Sequence, residues 1–358
     1  IKRNYKKMSS KITKHERIRE TLICFMKERG CWEEKMNDEI PRSFEKYGSH
    51  LLFPETAFAN RTWSDAGEDL WKLICKLYNG KAVAIGGSIQ NDSYRTPSVR
   101  LIYGTTTIVN FVDNHVRYTW DIEKNMFSSG NVNERHRIGR LSCKGEVIVD
   151  LFAGIGYFTL PYLVHAEAKF VHACEWNAIA VEALRRNLEH NGVANRCRIY
   201  EGDNREVSPR KVADRVNIGI IPSSEDYWQV ACEALSDKGG ILYVHQNVTS
   251  KFNCRNHCDI CENVKVEFNL NCYEKFQSAL ECHIENNTYI WNQVHSYQIS
   301  CKKEEWFHFA VHIIHSISSI INTIHSNIWK VIVKEIFKVK SYAPHIDHIV
   351  YTVHCFPP

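Results

Sequence analysis

The segment that most restricts what this chain can fold into is GEVIVDLFAGIG, from Gly145 to Gly156. A short apolar run that ends on an acidic residue and passes at once into Gly-x-Gly reads as a strand buried on both faces, followed by a tight turn into a helix. The unit then recurs. FVHACE (170–175) is a second strand, and Asn177 caps a helix whose apolar positions are Ala178, Val181, Leu184 and Leu188 and which Gly192 ends. CRIYEGD, RVNIGII and GGILYVHQN continue as third, fourth and fifth strands. Strands alternating with helices predict a parallel sheet covered by helices on both faces. A helix over 306–329, with Ile313, Ile314, Ile317, Ile320, Ile321 and Ile324 inward, precedes KEIFKVKSYAP and DHIVYTVHCF, which read as two closing strands.

The 358 residues suit two domains. The predicted division puts 1–125 in an N-terminal nucleic-acid-binding region with a small α/β domain and 126–358 in the larger α/β domain, with an atypical insertion at 251–302. Residues 15–29 have helical spacing, with Ile18, Leu22, Phe25 and Met26 on one face. Alternation of Val99, Leu101 and Tyr103, then of Ile108, Asn110 and Val112, predicts strands, and Asp113-Asn114 signals a turn before Val116, Tyr118 and Trp120. The net charge of +4 is unevenly spread. Residues 1–20 hold eight Lys and Arg against two Glu, a basic element suited to phosphate contact, and leave the remainder slightly acidic. No run of about 18 uncharged apolar residues is evident, so no membrane span is expected. The lysine-rich N-terminus lacks the apolar core of a signal peptide, and the fourteen cysteines are expected as free thiols in a reducing, cytoplasmic compartment. The chain opens on Ile1, with its first methionine at Met8, as expected of a fragment or a translated leader.

Three strand ends define a candidate crevice. Glu175 closes the second strand, where an acid suits the two hydroxyls of a ribose, and Asp203-Asn204 closes the third, where a side chain meets an adenine edge. The third glycine of a dinucleotide fingerprint is replaced by Thr159, and no Walker lysine follows, so phosphate is poorly served. An adenosine without phosphate fits better, and S-adenosylmethionine is the common one. After the fourth strand, Gly219-Ile-Ile-Pro-Ser-Ser224 lacks the Asn/Asp-Pro-Pro-aromatic run of enzymes that methylate base amino groups. It points either to different chemistry or to serines that only cap the next helix, Glu225 to Ala234.

DLFAGIGYFTLPYLVHA, HACEWN, RCRIYEGDNR, ADRVNIGIIPSSE, GGILYVHQN and KVKSYAPHIDHIV, with MFSSGNVNERHRIGRL upstream, resemble the tRNA wybutosine-synthesising aminocarboxypropyltransferases over about 40–250 and 330–355. The resemblance implies a Rossmann-like α/β fold of the class I S-adenosylmethionine-dependent methyltransferase type, with a smaller N-terminal α/β domain. It implies transfer of the 3-amino-3-carboxypropyl group of S-adenosylmethionine to the C7 side-chain carbon of 4-demethylwyosine, next to the anticodon of tRNA-Phe, with release of methylthioadenosine. By family pattern the cofactor contacts are Ser128, Arg135, Glu175, Asp203 and Asn204, with Arg135 where many members have Lys. No metal, no obligate protein partner and no identifiable general base are implied. The alternative is a tRNA guanine N1-methyltransferase on the same fold, from which the missing Asn-Pro-Pro-aromatic run separates this chain.

Two features fall outside that pattern. Cys254, Cys258 and Cys261 have iron–sulfur spacing, with His257, Cys272 and Cys282 nearby, but they follow five strands of another fold and read as part of the insertion. His308, His312 and His315 stand on one face of the late helix and are expected as ordinary partly exposed histidines.

Overall fold

A computed structural model describes residues 13–89, 96–250 and 304–358. The cysteine cluster of the insertion therefore lies outside the described residues. The chain divides into two compact units, Ile1–Phe127 and Ser128–Pro358.

In the first unit, helix α1 (Lys14–Glu28) opens on a capping box: Thr13 Oγ1 accepts from the Glu16 amide, and the Glu16 carboxylate accepts from the Thr13 amide. Its buried face is Ile18, Leu22 and Met26, while Phe25 is only half-buried. Strands β1 (Glu45–Tyr47) and β2 (His50–Phe53), helices α2 (Arg61–Asp65) and α3 (Glu68–Tyr78), and strands β3 (Ala82–Ile89) and β4 (Pro97–Tyr103) follow. The four strands form one sheet in chain order, mixed because β2 and β3 run parallel. Strands β5 (Ile108–Asp113) and β6 (Val116–Asp121) form a separate hairpin whose turn residues, Asn114 and His115, have φ of 46° and 63°. That is the left-handed backbone a two-residue hairpin loop requires. Val109 is the buried residue of β5, and Phe111, partly buried, shares its face. Ile108, Asn110 and Val112 form the outward row, because Phe111 is drawn into a cluster with Tyr47, Trp120 and Phe127.

The second unit begins with α4 (Val132–Gly139) and then alternates: β7 (Val147–Asp150), α5 (Thr159–Val164), β8 (Phe170–Glu175), α6 (Ala178–His190), β9 (Cys197–Glu201), α7 (Asn204–Val207), β10 (Arg215–Ile218), α8 (Trp228–Ala234) and β11 (Gly240–Thr249). Helix α9 (Glu304–His325) leads to β12 (Lys330–Ala343) and β13 (Ile346–Phe356). Seven strands make one sheet in the order β12-β13-β11-β10-β7-β8-β9. Five are parallel, and β13 is wedged antiparallel between β11 and β12. The chain leaves β7 toward β8 and β9, then crosses back to β10 on the other side of β7. The carboxyl ends of β7 and β10 therefore flank the switch point where open α/β sheets hold ligands.

Helix α9 differs from the sequence expectation in three ways. It ends at His325, because Ser326 adopts φ +52°. Its fully buried stripe is Ala310, Ile313, Ile317 and Ile321, whereas Ile314, Ile320 and Ile324 are only partly covered. It is also long and apolar enough to cross a membrane by length and composition alone, over Glu305–His325, contrary to the expectation that no such stretch exists. Histidines and serines interrupt the apolar run without adding formal charge. The stripe itself packs on Trp228, Val331 and Tyr351 of the core. Replacing Ile317 with alanine is expected to cost about 2–5 kcal/mol, read as a lower denaturant midpoint at unchanged slope.

Candidate active site

The glycine turn after β7 is shaped by what surrounds it. Gly154 and Gly156 have φ of +53° and +103°, and a Cβ on Gly156 would stand 3.0 Å from Leu160 and 3.1 Å from Leu184. A side chain is thus excluded by backbone and packing alike. Asp150, at the strand end, is fully buried. It accepts from Thr159 Oγ1 (2.7 Å) and from Asn217 Nδ2 (3.1 Å), its register partner on β10. Burial raises its pKa and these bonds oppose the rise. Thr159, which from sequence looked like a missing glycine, is a donor that fixes this carboxyl. Asn217 escaped the sequence reading, although a polar residue inside an apolar strand was the available signal.

Glu175 ends β8 beside that turn. One carboxylate oxygen accepts from the Gly154 amide at 2.8 Å and the other from the Asn177 amide at 2.9 Å. Burial pushes its pKa up, and the two backbone donors hold it down. Asn177 caps α6 through the Ile179 amide. Beside it, Trp176 and Ile179 are the exposed large apolar residues of this edge.

Asp203 and Asn204 end the β9 unit and open α7. Asp203 caps the helix through the Arg205 amide, and its carboxylate pairs with the Arg205 side chain, which lowers its pKa. Asn204 is buried. Its Nδ2 donates to the Leu151 carbonyl at 2.8 Å, while its Oδ1 has no hydrogen-bond partner among the described residues. Glu175 and Asn204 are thereby tied to the same β7 turn. A buried acceptor without a partner is costly unless a donor arrives, and an exocyclic amine is such a donor.

Ser128 and Arg135 lie elsewhere on the unit. Ser128 precedes α4, and buried Arg135 donates to its carbonyl at 3.0 Å, so the two act as one clasped turn. Helix α4 packs on α5, the helix that the glycine turn opens. The five predicted residues fall into two groups, Ser128 with Arg135 at the start of α4, and Glu175 with Asp203 and Asn204 around the β7 turn. Also on α4, Arg137 makes a buried bidentate pair with Glu134 (both bonds 2.7 Å). Glu134 Oε1 in turn lies 4.0 Å from Nε2 of buried His245. His245 Nδ1 meets His348 Nε2 at 3.1 Å.

After β10, the two serines are engaged locally. Ser223 Oγ accepts from the Glu225 amide, and fully buried Ser224 accepts from Trp228 Nε1 at 3.2 Å. His312 on α9 is paired with Glu225.

The strand order, the single antiparallel strand next to the edge, the glycine turn and the acid closing the second strand define a class I S-adenosylmethionine-dependent methyltransferase fold. Residues 107–270 match the model of the TRM5/TYW2 methyltransferase domain, and residues 28–107 match that of the TYW2 N-terminal domain. The tRNA wybutosine-synthesizing protein 2 homolog of Danio rerio is 40% identical over 345 residues, covering 96% of this chain and 79% of that protein. The human homolog is 42% identical, covering 91% and 72%. Among solved structures, Pyrococcus horikoshii TYW2 in complex with MeSAdo aligns at TM-score 0.63 and 22% identity, over 96% of this chain and 99% of that one. A complex of aTrm5 with tRNALeu aligns at TM-score 0.59 and 19% identity, over 98% and 82%. The chain belongs to the tRNA wybutosine-synthesizing protein 2 family.

Proposed function

We propose that this chain transfers the 3-amino-3-carboxypropyl group of S-adenosylmethionine to the C7 side-chain carbon of 4-demethylwyosine in tRNA-Phe, releasing methylthioadenosine. It is a transferase acting on tRNA, and S-adenosylmethionine is its group donor. When bound, the donor supplies a sulfonium whose methyl, C5′ and Cγ carbons are all electrophilic, so the carbon that faces the nucleophile is the one that reacts. Well-oriented placement of that kind is worth several kcal/mol of the barrier, roughly 7–11 at most.

The observation that carries the reading is the contrast between two strand ends. Glu175 at the end of β8 and Asn204 beyond β9, whose buried Oδ1 has no partner among the described residues, support a nucleoside-holding role there. After β10 the side chains of Ser223 and Ser224 serve the local turn and helix, and residues 219–224 carry no amide or carboxylate side chain to grip a base amino group. Glu175 holds the ribose hydroxyls, Asp203 and Asn204 the adenine edge, and Ser128 with Arg135 the methionyl arm. Residues 1–125, with their basic N-terminal end, are the tRNA-binding region. The enzyme works in the cytoplasm, without an obligate protein partner.

Incubating the protein with tRNA-Phe bearing 4-demethylwyosine and with donor labelled in either the methyl or the carboxyl carbon tests this. The carboxyl label is expected on the tRNA and the methyl label on methylthioadenosine. Methyl label on the tRNA would instead assign a methyltransferase.

A further inference from the structure

The amide that is missing after β10 is present one strand away. Asn247 stands near the end of β11, three positions past Val244, which is the partner of Ile218 at the end of β10. Its backbone amide donates to the Pro222 carbonyl at 2.8 Å. Asn247 therefore adjoins the loop whose own residues, 219–224, carry no amide or carboxylate side chain.

The fold also brings Asn247 to the switch point. His245, Asn247 and Thr249 share one face of β11, and along it they pass from buried through half-buried to exposed. Phe158, the N-cap of α5 just past the glycine turn, meets His245 on that face with ring centroids 5.4 Å apart. The same ring bounds the end of β10, because a Cβ on Gly219 would stand 2.9 Å from Phe158 Cε2. Phe158 thus joins the turn after β7 to the ends of β10 and β11, and Asn247 lies two residues, about 7 Å, outward along β11 from that junction. The Asn247 Oδ1 is buried and has no hydrogen-bond partner among the described residues. Asn204 Oδ1 is in the same condition beyond β9, so open acceptors stand on both sides of the β7 and β10 ends. An acceptor left open in a buried place is costly unless a donor arrives.

We propose that Asn247 recognises the target base, its Oδ1 accepting a hydrogen bond from a ring N–H of 4-demethylwyosine. This rests on the transfer proposed above and adds the residue that selects its acceptor. That base has hydrogen on N4 where wyosine has a methyl group, and only a nitrogen that keeps its hydrogen can donate to an amide oxygen. A methyl group in that place leaves the amide oxygen unpaired, the situation in which a polar site discriminates most sharply. Asn247 holds and selects the base and takes no part in the bond changes at sulfur.

Steady-state transfer by the full chain to tRNA-Phe carrying either 4-demethylwyosine or wyosine tests the assignment, beside donor affinity measured by calorimetry. The parent protein is expected to prefer 4-demethylwyosine by roughly a hundredfold or more in kcat/KM. Asn247→Leu is expected to lower kcat/KM for 4-demethylwyosine by about tenfold to a hundredfold, to leave the rate on wyosine and the donor affinity unchanged, and so to shrink the preference by the same factor. Its thermal midpoint is expected to hold or rise, because the substitution removes a buried acceptor that lacks a partner. Asn247→Asp keeps the acceptor and is expected to recover most of the preference. A parent that uses both tRNAs alike, or a leucine variant with the parental preference, would overturn the proposal. Weaker donor binding, a lower thermal midpoint or an equal fall on both tRNAs would overturn it by making Asn247 a support of the donor site or of the loop. A parent protein that moves no carboxyl label to either tRNA would overturn instead the transfer on which the proposal rests.

Discussion

Replacing Glu175 with alanine is expected to abolish transfer, with affinity for S-adenosylmethionine and for methylthioadenosine falling together by about a hundredfold or more. The side chain does two things at once. Its oxygens take the amides of Gly154 and Asn177, at 2.8 and 2.9 Å, and so join the glycine turn to the start of α6. Each oxygen keeps a further lone pair, which is what a pair of ribose hydroxyls requires. Alanine leaves two backbone donors unpaired in a largely buried place, at about 1–3 kcal/mol each, and removes the acceptors proposed for the ribose as well. Glutamine keeps one acceptor but turns an N–H toward an N–H, so Glu175→Gln is expected to lose affinity by about tenfold or more with a smaller loss of stability. Titration of the two nucleosides, read beside thermal unfolding, checks this. Because the ribose is common to both ligands, Glu175 variants are expected to weaken both alike. An alanine variant that binds both nucleosides like the parent would remove Glu175 from the site.

What could be read in advance was whatever is local along the chain. The apolar run into Gly154 and Gly156, the cap at Asn177 and the period of α6 are decided within a few residues, and each element stands where its pattern placed it, although on α6 Ala178 is exposed and Ala180, Ala183 and Asn187 join the buried face. Which face of a strand is inward is a tertiary matter. In β5 the alternation was legible but not its inward face, which is that of Val109 and Phe111 because Tyr47 and Phe127 supply the aromatic partners. The width of the α9 stripe was overestimated for a related reason, since isoleucine is equally apolar at every position and only packing selects among them. The site shows the same division. Glu175 ends β8, Asn204 opens α7 three residues past the end of β9, and both carry a local signature. Thr159 and Asn217 acquire their meaning from Asp150, which the fold brings to them across a turn and across a neighbouring strand. Asn247, His348 and Lys340 are set in one row across β11, β13 and β12 only by strand register, which no local pattern encodes.

Stability is expected to fall steadily as the solution is acidified from pH 7 to pH 5, because the fold holds three imidazoles uncharged. Burial, helped by the nearby Arg137, pushes the pKa of His245 down to about 3. Burial and neighbouring His245 push His348 down to about 3, with Lys340 adding to the depression and Glu134 opposing it. His354 is held at about 4 by burial and by Lys334 and Arg215. Glu134 lies close to His245 but cannot restore its proton affinity, since both carboxylate oxygens are committed to Arg137. In the unfolded chain these groups titrate near their ordinary value of 6.5, so between that pH and the folded pKa the unfolded state binds protons that the folded state refuses. A depressed histidine therefore adds stability that is complete above about pH 6.5 and is lost as pH falls through that window. Each such group contributes a slope of up to about 1.4 kcal/mol per pH unit. Urea unfolding at pH 7.5, 6.5, 5.5 and 5.0 is the measurement. Free energy is expected to be nearly level down to about pH 7 and to drop by about 3–4 kcal/mol per unit between 6 and 5 if all three groups act. His348→Asn keeps a polar group in the row while removing one titration, so its slope is expected to be shallower by about a third. Equal stability across pH 7.5 to 5.0 would show that these imidazoles accept protons in the folded state, and that the buried pair on β11 and β13 opens to solvent.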